Sequence, residues 1–549
     1  MSTVSTKTAK KIGLIGSIAL LIGAVIGIGI FFKNGSVFGT NNENGIGVLI
    51  SWILASIIAF CTALSFAEIG FGKRKGAGLA GSMEAMYGQK VGRFINFNQN
   101  FFYYGILNLS IALFSAEAIF NLVPKDTNFT NNLHIGFVFL LGISLLVIFL
   151  IFNYLSVKWS TRFQVLASSL KFFPLIAVAI AGLVFGIQNP DQNLFVKNSP
   201  TQGLSFNSII ISLPGILFAF DSFLSIGTIK NEMRDARKQV PLTIIIGMII
   251  VIIFYLFVTV GQIFAGIGVA PDLFDKIFEN NEIAKQVSSS ILNIFILVSI
   301  IGVLNSLILT GLRSFEQSIK SRLFYGYWLF DKIIQKHDDK LKSGIIIASI
   351  TYCFWLVIIL IPSVIINTDA FIDGISNFPT LFMFGVYGTI VLKGLINRAK
   401  KIEPEQKVKG FWFVGIISVI GCYLVFGYLF FWEYTFSLIT DFNKILAWGL
   451  FISHDYKTPK WVGSIWFIGC LIFFVVAPII NDTLLKNRYK KLSMKFVDSY
   501  IDNNSLTNSD TIISKEELDN INSDKIEERF IIVPSNLEEL EILKKELII

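Results

Sequence analysis

The feature that most constrains this chain is the recurrence of predominantly apolar runs about twenty residues long. A helix rises about 1.5 Å per residue, so about 20 apolar residues cross the roughly 30 Å hydrocarbon layer of a bilayer. Twelve such runs occur, at about 12–32, 46–70, 95–123, 136–155, 163–186, 206–228, 241–266, 288–312, 343–366, 371–396, 410–431 and 463–485. Lipid offers no partner to a backbone N–H or C=O, so runs of this length are read as helices. The third and eleventh are the least regular, because aromatic and polar residues interrupt them. Only 15% of the residues are charged, against about 25% in soluble domains.

Charge placement supports an even count with both termini on one side. With a cytoplasmic N-terminus, the outer loops carry 8 basic residues, among them Lys33, Lys125, Lys444 and Lys460. The N-terminus and inner loops carry 26, including Lys73, Arg74, Lys75, Arg234, Arg237, Lys238, Lys400 and Lys401. That asymmetry is the positive-inside pattern. It accounts for the net charge of +8 without nucleic acid. No cleavable signal peptide is expected, since the first run is too long and no small-residue cleavage site follows it.

These boundaries divide the chain into a cytoplasmic N-terminus (1–11), a core (12–396), two further helices with an external loop (397–486) and a cytoplasmic tail (487–549). The stretch from Lys495 to Asp524 is rich in Asn, Ser and Asp and reads as a mobile tail. Residues 536–545, NLEELEILKK, place apolar residues at helical spacing. They read either as solvated chain or as a short amphipathic helix for the membrane domain or a cytoplasmic partner.

Two runs contain signals that a continuous helix would avoid. Residues 23–31 read GAVIGIGIF, with Gly23, Gly27 and Gly29 among β-branched residues. Glycine weakens a helix and lets other groups approach the backbone. Gly23 and Gly27 also form a G-x-x-x-G helix-packing spacing, so packing and unwinding are both open from this segment alone. A nucleotide-binding reading fails, because no third glycine and no βαβ pattern follow. The sixth run holds Pro214, Gly215 and an ionisable Asp221 within FAFDSF. An acidic side chain at mid-span is costly and defaults to a functional reading. Breaks at equivalent places in two halves point to a transporter of inverted repeats with a midplane site. Spans 1–5 and 6–10, about 12–186 and 206–396, are the candidate repeats.

The sequence resembles the amino acid permeases of the amino acid–polyamine–organocation superfamily. GAVIGIGIF resembles their first-helix motif. SFAEIG at 65–70, followed by LAGSMEAMYG at 79–88, resembles their second helix and the loop after it. FAFDSF resembles their sixth-helix motif, usually FAYDGF. EMRDARKQVP at 232–241 matches their acidic–basic loop in length, and Asn305, Ser306 and Arg313 sit as in their eighth helix. Ser222 stands in place of a usual glycine, which would narrow the pocket. Asp235-Ala236 stands in place of Asn-Pro.

The resemblance implies an all-α integral membrane protein of about 12 helices. It would have the LeuT-like fold: a 5+5 inverted repeat with discontinuous helices 1 and 6, plus two helices. It places the substrate's α-carboxylate on the N–H groups of Gly27, Ile28 and Gly29, beside Ile26. The α-ammonium goes to carbonyls of Phe218, Ala219 and Asp221, beside Ser222. Opposed half-helix ends suit a zwitterion, since N-terminal ends favour anions and C-terminal ends cations. Phe218 and Phe220 read as aromatic gates or as core. Asp221 reads as a direct substrate contact or as a partner for unwound backbone.

Lys171, with Pro174 after it, matches a lysine that many of these permeases carry. With Asn305 and Ser306 it forms the candidate coupling group. A lysine inside the hydrocarbon layer could exchange a proton as the cavity opens to each side. Snorkelling to the interface is the plain alternative. Glu68 is a candidate gate or loop anchor. Tyr103 and Tyr104 face the cavity or anchor at the interface.

His134, His337, His454 and the four cysteines mark no metal or catalytic constellation, so no enzyme, metal or cofactor is expected. The driving force would be a proton or sodium gradient. The expected function is amino acid transport in the plasma membrane by proton-coupled symport. Exchange, polyamine transport or nutrient sensing through the tail are the alternatives. The expected partners are an amino acid and the bilayer, with a homodimer and a tail partner open.

Overall fold

The computed structural model describes residues 13–27, 29–69, 78–123, 134–197, 204–224, 233, 236–330, 341–402, 407–446 and 458–504. Among these the chain is helical, with one isolated bridge between Ile445 and Pro459 and no strand. Ten helices are long and apolar enough to cross a membrane, and two shorter apolar helices, Leu14–Val25 and Phe206–Phe220, accompany them.

The principal helices are α1 (Leu14–Val25), α2 (Gly45–Ile69), α3 (Gln89–Phe120), α4 (Ile135–Leu155) and α5 (Val157–Leu170 and Phe172–Gln188). They continue as α6 (Phe206–Phe220), α7 (Ala236–Ala265), α8 (Glu282–Lys320), α9 (Lys342–Ile366), α10 (Ala370–Ala399), α11 (Phe411–Tyr428) and α12 (Lys460–Asn504). The chain is a multi-pass membrane protein, with an outer surface of Ile148, Ile151, Ile361, Phe413 and Ile472.

Burial separates inner from outer helices. The most apolar window of α3 is 94% buried, against 28% for α11 and α12. Helix α3 therefore lies in the bundle core, and its polar residues are explained by what surrounds them. Asn98–Tyr104 is a π-helical stretch within α3. Its wider turn shifts the helical register, and Phe101 O accepts from Trp355 Nε1 at 2.7 Å. Asn98 donates to Phe474 O at 3.0 Å and Asn100 to Ser318 Oγ at 2.7 Å. The polar residues that made this span irregular in sequence tie α3 to α12 and α8.

Two boundaries differ from the sequence reading. The sixth helix stops at Phe220 rather than running to 228. The last helix continues to Asn504, past the tail boundary drawn at 487. Composition suggested a tail there, while Tyr489, Leu492, Phe496 and Tyr500 recur at helical spacing. Residues 505–549, with the 536–545 stretch, lie outside the described residues, as do His337, His454 and residues 232, 234 and 235.

Candidate functional site

Helix α1 ends at Val25. Ile26 is extended (φ −70°, ψ 115°), and the chain resumes as a π-helical turn, Gly29–Lys33, running into a short helix, Asn34–Thr40. A helix that stops inside a protein leaves its last carbonyls without intrahelical donors. Here each of those named has a donor. Lys171 Nζ lies 2.6 Å from Gly23 O and 2.6 Å from Ile26 O. Gln164 Nε2 donates to Gly23 O at 3.2 Å, and Tyr255 Oη lies 3.3 Å from Val25 O. An ammonium at the negative end of a helix is also favoured by the dipole. Lys171 is fully buried and turned inward, so it does not snorkel.

Packing and unwinding both hold for the glycines, at different positions. A Cβ on Gly23 would lie 1.9 Å from Ser168 Oγ, so Gly23 packs α1 on α5. A Cβ on Gly29 would lie 2.5 Å from Ala219 Cβ and 2.7 Å from its Cα. The chain just past the first break thus touches the backbone of α6 just before the second.

That second break begins at Asp221, which is extended (φ −63°, ψ 171°). Ser222 follows at φ +71°, in the left-handed region that glycine occupies without strain. The Asp221 carboxylate is occupied by the protein itself. Oδ1 accepts from the Ser222 N–H at 2.7 Å, and Oδ2 from Tyr103 Oη at 2.8 Å and Thr380 Oγ1 at 2.9 Å. Tyr255 Oη also lies 3.0 Å from Ala219 O, so one hydroxyl stands between the carbonyls of both breaks.

A small cavity lies between the two breaks, α3 and α8. Of the residues expected there, Gly27, Gly29, Phe218, Ala219, Asp221 and Ser222 line it, with Val25, Leu107, Ile111 and Val303. Two others are not brought to it. Ile26 is fully buried, with its carbonyl on Lys171. Phe220 packs against Tyr255 (centroids 5.1 Å apart) and Trp52 (6.0 Å) in the core. Ile28 lies outside the described residues. A second cavity, toward the end where α3 begins, is lined by Gln99, Tyr103, Tyr104, Ser222 and Tyr387. The Tyr103–Asp221 hydrogen bond links the linings of the two. Neither tyrosine is an interfacial anchor, for both are buried.

Asn305 joins the surroundings of Lys171 through a polar chain. Its Oδ1 accepts from Ser160 Oγ at 3.0 Å and Asn153 Nδ2 at 3.1 Å, and its Nδ2 reaches Gln164 Oε1 at 3.5 Å. Gln164 leads on to Gly23 O. The carbonyl of Ser306 accepts from Thr310 Oγ1, one turn along α8. The Glu68 carboxylate pairs with Arg398 Nε at 2.9 Å and accepts from the Val408 N–H at 2.7 Å.

The sequence reading missed Lys33. Counting span length from residue 12 put it in an outer loop. Instead it is 2% exposed within the second half of the broken helix. Its Nζ lies 3.1 Å from Asp373 Oδ1 and donates to Ser376 Oγ at 2.8 Å and Asn377 Oδ1 at 2.5 Å. It also stands 4.2 Å from the ring centre of Phe218. A lysine one residue past span 1 and an aspartate inside span 10 were the available signal.

Residues 12–453 match the family model described as amino acid permease. The chain is 24% identical over 435 residues to the serine/threonine exchanger SteT of Bacillus subtilis, covering 78% of this chain and 92% of that protein. It is 22% identical over 468 residues to the b(0,+)-type amino acid transporter 1 of Mus musculus, covering 82% and 90%. With the Asc-type amino acid transporter 1 of Homo sapiens it shares 22% over 442 residues, covering 79% and 78%.

Proposed function

This chain belongs to the amino acid permease family, and from that premise we propose that it carries neutral amino acids across the plasma membrane by alternating access. In this reading both termini are cytoplasmic. The core is two inverted five-helix repeats, with the breaks in α1 and α6 at equivalent places and two further helices outside.

The observation that carries the reading is the contact between the two breaks. Where Gly29 meets Ala219, the start of one helical segment and the end of another share one cavity wall. Lys171 occupies the carbonyls that end α1. The positive start of the Gly29–Thr40 stretch and the negative end of α6, where Ala219 O already accepts from Tyr255 Oη, then face the ligand. A carboxylate goes to the first and an ammonium to the second, which is the pattern of a free amino acid. Its side chain meets Leu107, Ile111, Phe218 and Val303. Asp221, with both oxygens taken, offers no seat to a cationic side chain, which disfavours polyamines.

Lys171 is the coupling group in this reading. Were it to lose its proton, its grip on Gly23 and Ile26 would loosen and the break would be free to rearrange. Proton symport follows from that chemistry. Exchange is the second mode, favoured because the relatives include a protein described as an exchanger.

The test is uptake by reconstituted vesicles, offered each amino acid in turn under two pH gradients and in counterflow. Saturable uptake of small neutral amino acids is expected. Conductance without saturable uptake or counterflow would overturn the reading.

A further inference from the structure

The second cavity has no task in the site described so far. With cytoplasmic termini, the start of α3 faces the cytoplasm, so this cavity lies inward of the first. Both are strung along the same elements. On α3, Ile111 and Leu107 line the first, and Tyr104, Tyr103 and Gln99 the second. On α8, Leu307 lines both, between Val303 of the first and Thr310 of the second. Ser222 also lines both, beside the Tyr103–Asp221 hydrogen bond of 2.8 Å. The two are therefore consecutive chambers, and that bond stands where they meet.

The chemistry changes from one chamber to the next. Apart from Asp221 and Ser222, the side chains lining the first are apolar. Six of the ten residues lining the second carry a hydroxyl or an amide, and among these described residues none is charged. Gln99 is 8% exposed, and its Oε1 has no hydrogen-bond partner among the described residues. An unpaired acceptor in a low-dielectric interior is costly, and native proteins keep few of them. Gln99 and Tyr104 both belong to the π-helical stretch of α3. Bonding from i to i+5 stacks residue 104 close above residue 99, where an α-helix would turn it away. The stretch thus gathers polar side chains on the wall of this chamber.

We propose that the inner chamber is a second binding site for the transported amino acid, occupied on its way to the cytoplasm. Gln99 Oε1 accepts from the ammonium, together with Thr310 Oγ1, whose own proton is already given to Ser306 O at 2.6 Å. Tyr104 and Tyr387 supply hydroxyl donors for the carboxylate. The chamber is small, so it fills as the cytoplasmic end opens and the Tyr103–Asp221 bond parts. Its lining side chains are neutral, without the partial charges of the two helix ends that face the first site. The amino acid is therefore held more weakly here and leaves readily.

The proposal rests on the transport reading and deepens it, and kinetics resolved by membrane face separate the two. The full chain is reconstituted in vesicles of known orientation, and the KM for alanine is measured from each face. The wild type is expected to have the higher KM on the cytoplasmic face. In Gln99→Leu and in Thr310→Val the ratio of cytoplasmic to outer KM is expected to rise at least about threefold, the value of one lost hydrogen bond. Equal changes on both faces, or none on either in a variant that transports, would overturn the proposal and leave the transport reading standing. Should Gln99→Leu fail to fold, Thr310→Val, which keeps the side chain's shape, decides alone. Absence of saturable flux from either face of the wild type would overturn the transport reading, and the inner site with it.

Discussion

Lys171 caps Gly23: its ammonium lies 2.6 Å from that carbonyl oxygen and equally close to Ile26 O, joining α5 to the broken end of α1. The two residues stand 148 positions apart. Replacing Lys171 with Met keeps most of the volume and removes both donations. Gly23 O keeps Gln164 Nε2, whereas Ile26 O is left open, at a cost of about 1–3 kcal/mol. Lys171→Met is expected to lower the thermal unfolding midpoint in detergent and to abolish accumulation driven by a pH gradient, while counterflow persists at a reduced rate. Undiminished accumulation would remove Lys171 from coupling.

Gly29 has no room for a side chain. Even a methyl group meets both the Cβ and the Cα of Ala219. Gly29→Ala is expected to weaken substrate binding by at least about tenfold, or about 1.4 kcal/mol, in protein that still inserts. The pair Gly29→Ala with Ala219→Gly relieves only the Cβ part of the clash, so it should recover only part of the affinity. Substrate-induced thermal stabilisation reads both.

At Ser222 the backbone is left-handed, a conformation that costs a residue with a side chain about 1–2 kcal/mol. Thermal midpoints are expected to rank glycine at or above serine, and valine lowest, because β-branching makes that conformation worse. A valine variant as stable as the wild type would mean that Ser222 is not held there in the membrane.

Asp221 accepts three hydrogen bonds from the protein, from Tyr103, Thr380 and the Ser222 N–H. Tyr103→Phe removes a donor to a carboxylate, worth about 1.5–3 kcal/mol. The expected result is lower stability and a higher KM for neutral amino acids, with no gain for lysine or arginine. Competition assays would show it. New uptake of cationic amino acids would mean that the carboxylate is available to substrate after all.

The two phenylalanines of FAFDSF show where sequence reasoning stops. Phe218 and Phe220 are two residues apart, about 200° around a helix, so one side of α6 cannot hold both. The spacing says that they diverge but not which one meets the cavity. Phe220 is fixed by Trp52 and Tyr255, which come from α2 and α7. Tyr255 itself carried no signal, being one aromatic residue in an apolar span. Lys33 was misplaced for a related reason. A length rule assumes a continuous helix from residue 12, whereas the first helix breaks at Ile26 and resumes.

What the chain determined unaided was the set of apolar helices and the two weak points, because hydropathy and helix-breaking residues act over a single turn or span. Only the tertiary structure decided which groups would answer those weak points. Lys33 finds Asp373 across 340 positions, and Tyr103 finds Asp221 across 118. In a low-dielectric interior every opened carbonyl and every charge must find a partner, and that partner is chosen by how helices pack, which no local spacing records.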